Sequence, residues 1–378
     1  MTETRLNCVF LGLSITSTWG NGHATTYRSL LKELSLRGYG VTFLERDVPW
    51  YSSHREFERL PYCKVALYNS LEELKERFTS LVRTADVVVV GSYVPDGIAV
   101  GEWVTRTAEH LTAFYDIDTP VTLSNLENGR CEYLSKELCK KYRLYLSFTG
   151  GPTLALIERK LGAPYAAALY CSVDPALYYP LPEPLEWEVG YLGTYAADRQ
   201  PALESLLLDV AKQNPNQRFV VAGPQYPDTI PWPANVERID HLPASDHRGF
   251  YNSQRFTLNL TRRDMIRTGY SPSVRLFEAA ACGVPILTDE WPGLETFYEP
   301  FSEIVPVRTS WDLMSQLRMP DDQRLEIADR ARRRTLRFHT AAVRAREFTT
   351  HVHQCLERIN CSKRSASMLK PSVTAVLQ

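Results

Sequence analysis

The apolar positions of this chain fall into short runs separated by polar, glycine-bearing loops and by stretches of helical spacing. Residues 8–13 form the first compact run. A polar loop, residues 14–23, follows it. Tyr27, Leu30, Leu31 and Leu34 then recur at i, i+3, i+4 and i+7, which predicts a helix with one buried face. Gly38 stops that helix, and residues 41–44 form the next strand. This order predicts a βαβ unit whose loop lies at the carboxyl end of a parallel sheet. The alternation continues with strands at residues 65–68, 87–90, 111–115 and 144–148. Leu71, Leu74 and Phe78 sit on a helix, and Thr149-Gly-Gly-Pro152 leads into another that runs through Leu161. Repeated strand–turn–helix units predict a doubly wound sheet.

The texture changes at residues 172–187, where Pro175, Pro180, Pro182 and Pro184 remove ladder donors and fix backbone angles. We read this segment as a linker between a first domain, residues 1–171, and a second, residues 188–338. The second series has strands at 189–192, 219–222, 236–239, 256–260, 285–288 and 304–307, with a helix face at Leu203, Leu206, Leu207 and Val210. Two α/β halves joined by a linker put a cleft between them, a preferred ligand site. Residues 339–360 read as a last helix, and the polar segment 361–378 as a disordered tail.

The most informative stretch is residues 271–289, which reads as loop, helix, glycine stop at Gly283, and buried strand. Ser271 or Ser273 can cap the helix, and Pro272 suits its first turn. Leu276, Phe277, Ala280 and Ala281 give a buried face, with Glu278 on the other side. Its carboxylate can accept hydrogen bonds from two neighbouring sugar hydroxyls. The helix start, with Val274, offers N–H groups and a positive dipole end to a phosphate. A nucleotide with a ribose and a diphosphate fits this element. The competing reading of Glu278 is a helix glutamate paired with an arginine, Arg275 at i−3 for example.

These residues, with Thr288-Asp-Glu290 and Pro292-Gly-Leu-Glu295, resemble the donor-site signature of GT-B glycosyltransferases, and within them the CgeB-like (spore-maturation-protein) subgroup. The resemblance covers residues 189–348 well and the first 170 more weakly. It implies an α/β, GT-B fold: two Rossmann-like doubly wound domains facing a central cleft. It also implies transfer of a hexosyl group from a nucleotide-diphosphate sugar, a UDP-sugar foremost, to an acceptor nucleophile. In that family the glutamate matching Glu278 holds the ribose. Many relatives carry a second glutamate eight positions upstream; Tyr270 stands there, so its sugar contact is not carried over. Gly20-Asn-Gly22-His23 resembles the Gly-Gly-His of the first GT-B loop, which lies against the acceptor and the leaving group. His339-Thr340 with Arg344-Ala345 resembles the family's His-Thr-x-x-x-Arg-Ala ending, whose helix crosses back to the first domain.

Several further residues carry two readings each. His23 suits a general base for an acceptor hydroxyl; otherwise it caps the following helix or contacts a phosphate. Gly193-Thr194-Tyr195 follow a strand, where a glycine turn lets backbone approach a diphosphate, or form an ordinary turn. Arg262, ahead of Arg263 at a strand's carboxyl end, can neutralise a leaving diphosphate, or sits in a solvated basic loop. His241-Leu242 occupy the place where backbone contacts the base in related folds, or are a polar loop. Asp116-x-Asp118 has the form of a metal-binding pair. Arginines and helix ends can offset diphosphate charge instead, so we expect no metal or other cofactor, and Asp118 before Thr119-Pro120 suits turn chemistry or acceptor contact. His351 and His353 point to different helix faces and make a poor metal pair.

Composition excludes more than it adds. A length of 378 residues implies two domains, and a net charge of −1 gives no case for a nucleic-acid or membrane partner. The eight cysteines are scattered without a Cys-x-x-Cys, which argues against a zinc site or disulfide scaffold and for a reducing compartment. The first apolar run is too short for a signal-peptide core, and no run approaches the ~20 residues of a membrane span. We therefore expect a cytoplasmic protein with no integral membrane segment. The acceptor stays open among small molecule, glycan and protein. A non-hydrolysing sugar-nucleotide epimerase and a non-catalytic partner subunit are the alternatives; an NAD oxidoreductase is disfavoured because the first loop is not Gly-x-Gly-x-x-Gly.

Overall fold

The computed structural model describes residues 6–19, 22–57 and 59–368. The apolar runs of the first half become β1 (Asn7–Gly12), β2 (Gly40–Arg46), β3 (Lys64–Tyr68), β4 (Val87–Gly91), β5 (Leu111–Asp116) and β6 (Leu144–Ser147). A further strand, β7 (Ala166–Ala168), closes the edge. Its three alanines carry no β-forming pattern, and the pairing of Tyr145 with Ala166 holds it. The second half supplies β8 (Trp187–Leu192), β9 (Phe219–Ala222), β10 (Val236–Ile239), β11 (Gln254–Asn259), β12 (Ile286–Thr288) and β13 (Val305–Pro306).

Every ladder is parallel, with strand orders β3-β2-β1-β4-β5-β6-β7 and β10-β9-β8-β11-β12-β13. Parallel sheets need both faces covered. Val87 and Val89 accordingly enter one core while Val88 and Val90 enter the one on the other face. In β9, Phe219 and Val221 divide from Val220 and Ala222 in the same way. In both sheets the strand order reverses between the first strand and the fourth. Open α/β sheets bind ligands outside the carboxyl ends of the strands at this point.

The last helix packs against residues of the first half. Ala345, Phe348, Val352, Cys355 and Ile359 pack with Phe10, Leu30, Leu31 and Leu34 in the first domain's core. This helix runs Ala341–Met368, so the first eight residues of the expected disordered tail are helical, and residues 369–378 lie outside the described residues. The linker and the return crossing lie side by side, joined by Val173 N–H to His339 O and Ala341 N–H to Val173 O.

His339 plugs this crossing. Its ring stacks on Phe277 at 4.5 Å, and Arg344 donates to its Nδ1 at 3.0 Å. Burial first, and then the charge of Arg344, push its pKa down to about 3. The unfolded chain therefore takes up a proton near pH 6.5 that the fold refuses. The stability linked to neutral His339 is present above pH 6.5 and is lost as pH falls toward 3. By pH 4.5 the loss is roughly 3 kcal/mol. His339→Asn keeps an acceptor for Arg344 but cannot titrate. We expect it to be less stable at pH 7 and to lose less stability between pH 7 and 4.5. Denaturation midpoints at both pH values measure this; an unchanged slope contradicts it.

Candidate active site

The two reversal points face each other across the cleft. On the first domain the loop after β1 is tied down by Glu45, a buried residue of β2. Its carboxylate accepts from Ser14 Oγ (2.9 Å), Ile15 N–H (2.7 Å), Thr16 N–H (3.1 Å) and Thr16 Oγ1 (2.6 Å). This sets up Trp19, whose ring stacks on His54 at 4.1 Å and lies 5.3 Å from His241 of the second domain. Gly20 and Asn21 lie outside the described residues. Gly22 has an ordinary right-handed backbone and open space where a Cβ would stand, so neither conformation nor packing requires glycine there.

His23 opens the helix His23–Leu36. Burial holds its pKa down at about 4, so the imidazole is neutral at pH 7, as a base requires. Its ring lies 5.4 Å from Tyr93, a residue that follows β4 in the left-handed region at φ 62°. Such a conformation costs a bulky residue energy and concentrates at functional sites. Tyr93 Oη donates to Asp118 Oδ2 at 3.0 Å, and Arg262 Nη1 approaches the same oxygen at 3.6 Å. His23, Asp118 and Arg262 are thus brought together, with Tyr93, which the sequence reading missed, as the intermediary.

The Asp116-x-Asp118 pair is split. Asp116 is fully buried and accepts from Thr122 Oγ1 and Tyr145 Oη, each at 2.6 Å; burial raises its pKa to about 6. Asp118 faces the cleft. Among the described residues no group of three or more His, Cys, Asp or Glu could hold a metal ion.

On the second domain, Gly193 follows β8. A Cβ on Gly223, at φ 140°, would stand 2.1 Å from its carbonyl oxygen, which forces glycine at Gly223. Gly193 N–H and Tyr195 N–H donate to Ala222 O (2.8 Å) and Pro224 O (3.0 Å), so two of the three amides expected to face a diphosphate are already used. The turn instead holds Arg199, whose Nη2 donates to Thr194 O at 2.6 Å. Burial first, then the charges of Arg275 and Arg262, push the Arg199 pKa below the usual arginine value. Its Nε is buried with no hydrogen-bond partner among the described residues. Three guanidinium groups therefore crowd this end of the cleft, and Arg262–Asp118 is the one ion pair found among them in the described residues. Arg199 was not singled out from the sequence.

The helix expected from the signature runs Val274–Ala281. Neither serine caps it. Ser271 Oγ accepts from Thr149 Oγ1 of the first domain (3.0 Å), and Ser273 Oγ accepts from Arg275 Nε (3.0 Å). Pro272 precedes the helix instead of entering its first turn, and its carbonyl accepts from Cys171 Sγ. The first-turn N–H groups thus have no side-chain cap, beside three arginines. Arg275 does not pair with Glu278; its Nη1 and Nη2 donate to Leu192 O (2.6 Å) and Leu260 O (3.1 Å).

Glu278 is 4% exposed, so the helix is buried on the side opposite its apolar face as well. Tyr251 Oη donates to its Oε2 at 3.1 Å. Burial and then the charge of Glu278 raise the Tyr251 and Tyr178 hydroxyls, and no ion pair neutralises Glu278 among the described residues. Glu278 lines a cavity of about 1090 Å³ together with Trp19, Tyr178, His241, Ser245 and Arg248. His241 is exposed there, while Leu242 packs on the second domain's core.

Tyr270 stands at φ 49°. Its ring fills the space where Cβ atoms of Gly151 and Gly293 would be, and its carbonyl accepts from Gly150 N–H at 3.0 Å. It joins the two domains beside the cleft.

Residues 199–350 match the sequence profile of the family described as glycosyl transferase-like. Solved structures extend the likeness to most of the chain. A sucrose-phosphate synthase from Thermosynechococcus elongatus aligns at TM-score 0.66 and 13% identity over 93% of this chain and 99% of its own. HepE from Anabaena, in complex with UDP and glucose, gives 0.67 and 11% over 93% and 100%. An alpha-glucosyltransferase in complex with UDP-glucose and DNA gives 0.68 and 12% over 92% and 99%. At these identities the structures establish the fold alone, two parallel α/β sheets arranged as in these glycosyltransferases, and the profile match covers only residues 199–350. No curated protein matches the chain.

Proposed function

We propose that the protein moves a hexosyl group from a nucleoside-diphosphate sugar, a UDP-sugar foremost, to an acceptor nucleophile, without a metal ion, in the manner of the CgeB-like subgroup. The observation that carries the proposal is Glu278: a buried carboxylate on a cavity wall, without an ion-pair partner among the described residues, on the same helix as Arg275. Four residue steps along the helix separate it from Val274, about 6 Å of rise, which suits a ribose and its adjoining diphosphate. Glu278 takes the ribose hydroxyls. Arg199, Arg262, Arg275 and the helix start at Ser273–Val274 take the diphosphate, with Thr194 beside them. Gly193, Tyr195, Ser271 and Pro272 shape the wall. His241 and Leu242 flank the base. Gly22, His23 and Asp118 form the acceptor side, where neutral His23 either accepts the hydroxyl proton or orients the acceptor. HepE in complex with UDP and glucose supports a UDP-sugar donor. The net charge of −1 argues against nucleic acid as the acceptor. Cys8, Cys63, Cys131, Cys139, Cys171, Cys282 and Cys355 form no disulfide, which suits a cytoplasmic setting.

A thermal-shift panel of UDP, GDP, dTDP, ADP and NAD at millimolar concentration tests the donor. Binding to the folded state alone stabilises by mass action, about 2.7 kcal/mol at a hundredfold excess over Kd. We expect a rise in melting temperature with at least one nucleoside diphosphate and none with NAD. No rise with any nucleoside diphosphate contradicts the proposal.

A further inference from the structure

Arg262 belongs to two groups at once. From the second domain it adds to the charge felt by Arg199, and it also reaches across the cleft to Asp118 Oδ2 at 3.6 Å. The pair is loose, longer than a hydrogen bond, and the Arg262 side chain is 44% exposed. Asp118 is held more firmly by its own domain. Tyr93 Oη donates to it at 3.0 Å, and its backbone N–H donates to Asp116 Oδ1 at 3.3 Å. Arg262 can therefore leave without Asp118 moving. A diphosphate beside Arg199 and Arg275 carries more negative charge than one carboxylate, so it takes Arg262 in any competition.

We propose that Asp118 couples the two substrates: it and the donor's diphosphate compete for Arg262, and capture of Arg262 by the diphosphate releases the Asp118 carboxylate to the acceptor hydroxyl. This rests on the donor reading above. Donor binding before acceptor follows from it. So does an affinity change of unusual sign: removing an acidic residue from the opposite domain tightens nucleotide binding.

The test is the Kd of UDP and of GDP for the wild type, Asp118→Asn, Arg262→Gln and the double variant, with uridine as a control. Asn keeps an acceptor oxygen for Tyr93. We expect Asp118→Asn to bind the nucleoside diphosphate roughly threefold to fivefold more tightly, the size of one partly exposed ion pair. The gain vanishes when Arg262 is already Gln. Uridine affinity stays unchanged, and acceptor-dependent turnover of Asp118→Asn falls. Unchanged or weaker binding by Asp118→Asn, or a gain that survives Arg262→Gln, overturns the coupling while leaving the donor reading intact. Failure of both nucleotides to bind the wild type removes the UDP- or GDP-sugar donor reading and the coupling with it.

Discussion

Glu278→Ala is expected to weaken nucleoside-diphosphate affinity by roughly a hundredfold, about 3 kcal/mol. The figure reflects two hydrogen bonds from ribose hydroxyls to a charged acceptor inside a desolvated wall, where such bonds are strong. The fold itself should tolerate the change. Glu278 is buried without an ion-pair partner among the described residues, so removing it relieves a desolvated charge, at the cost of the hydroxyl contacts from Tyr251 and Tyr178. Glu278→Gln keeps an acceptor for Tyr251 and should lose less. The preference for UDP over 2′-deoxyUDP should shrink in Glu278→Ala, because the carboxylate that accepts from the 2′-hydroxyl is already gone. Equal affinity in wild type and Glu278→Ala, measured calorimetrically, would remove the ribose role.

The second large effect falls on stability. Glu45→Ala deprives Ser14 Oγ, Ile15 N–H, Thr16 N–H and Thr16 Oγ1 of their common acceptor in a buried site. Leaving several buried donors unpaired costs about 3–5 kcal/mol. Urea denaturation should show a lower midpoint with an unchanged slope, since the fold stays the same. The loop also carries Trp19 to His54 and His241, so transfer should fall beyond what instability explains. A loss under 1 kcal/mol would mean that the loop does not depend on this anchor.

The periodicity of single elements was legible. Val87–Val90 could only be a strand buried on both faces, and Leu30, Leu31 and Leu34 had to face a core. The signature helix was legible too, from the spacing of Leu276, Phe277, Ala280 and Ala281 and the stop at Gly283, whereas the burial of Glu278 was not. What escaped depends on contacts between distant segments. Nothing near Tyr93 in the chain announces that it will stand between His23 and Asp118. Arg199 reads as an ordinary loop arginine until the turn after β8 folds it against Arg275. Glu45 ends a strand in a way any surface glutamate might, yet four donors from the neighbouring loop bury it. The serine caps failed for the same reason: Thr149 and Arg275, both set by tertiary structure, engage those hydroxyls first. The polar residues after 360 lack a packing pattern, but they continue a helix already anchored through Ile359.

The central claim, that this cleft cleaves a nucleotide-sugar bond, is tested most directly by incubating the protein with UDP-, GDP-, dTDP- and ADP-glucose and measuring free nucleoside diphosphate. The account predicts slow release from at least one donor by the wild type, faster when an acceptor is supplied, and loss of release in Glu278→Ala. Conversion of a donor to an isomeric nucleotide sugar without release would establish the epimerase alternative. A wild type that releases nucleotide from none of the four would contradict the account.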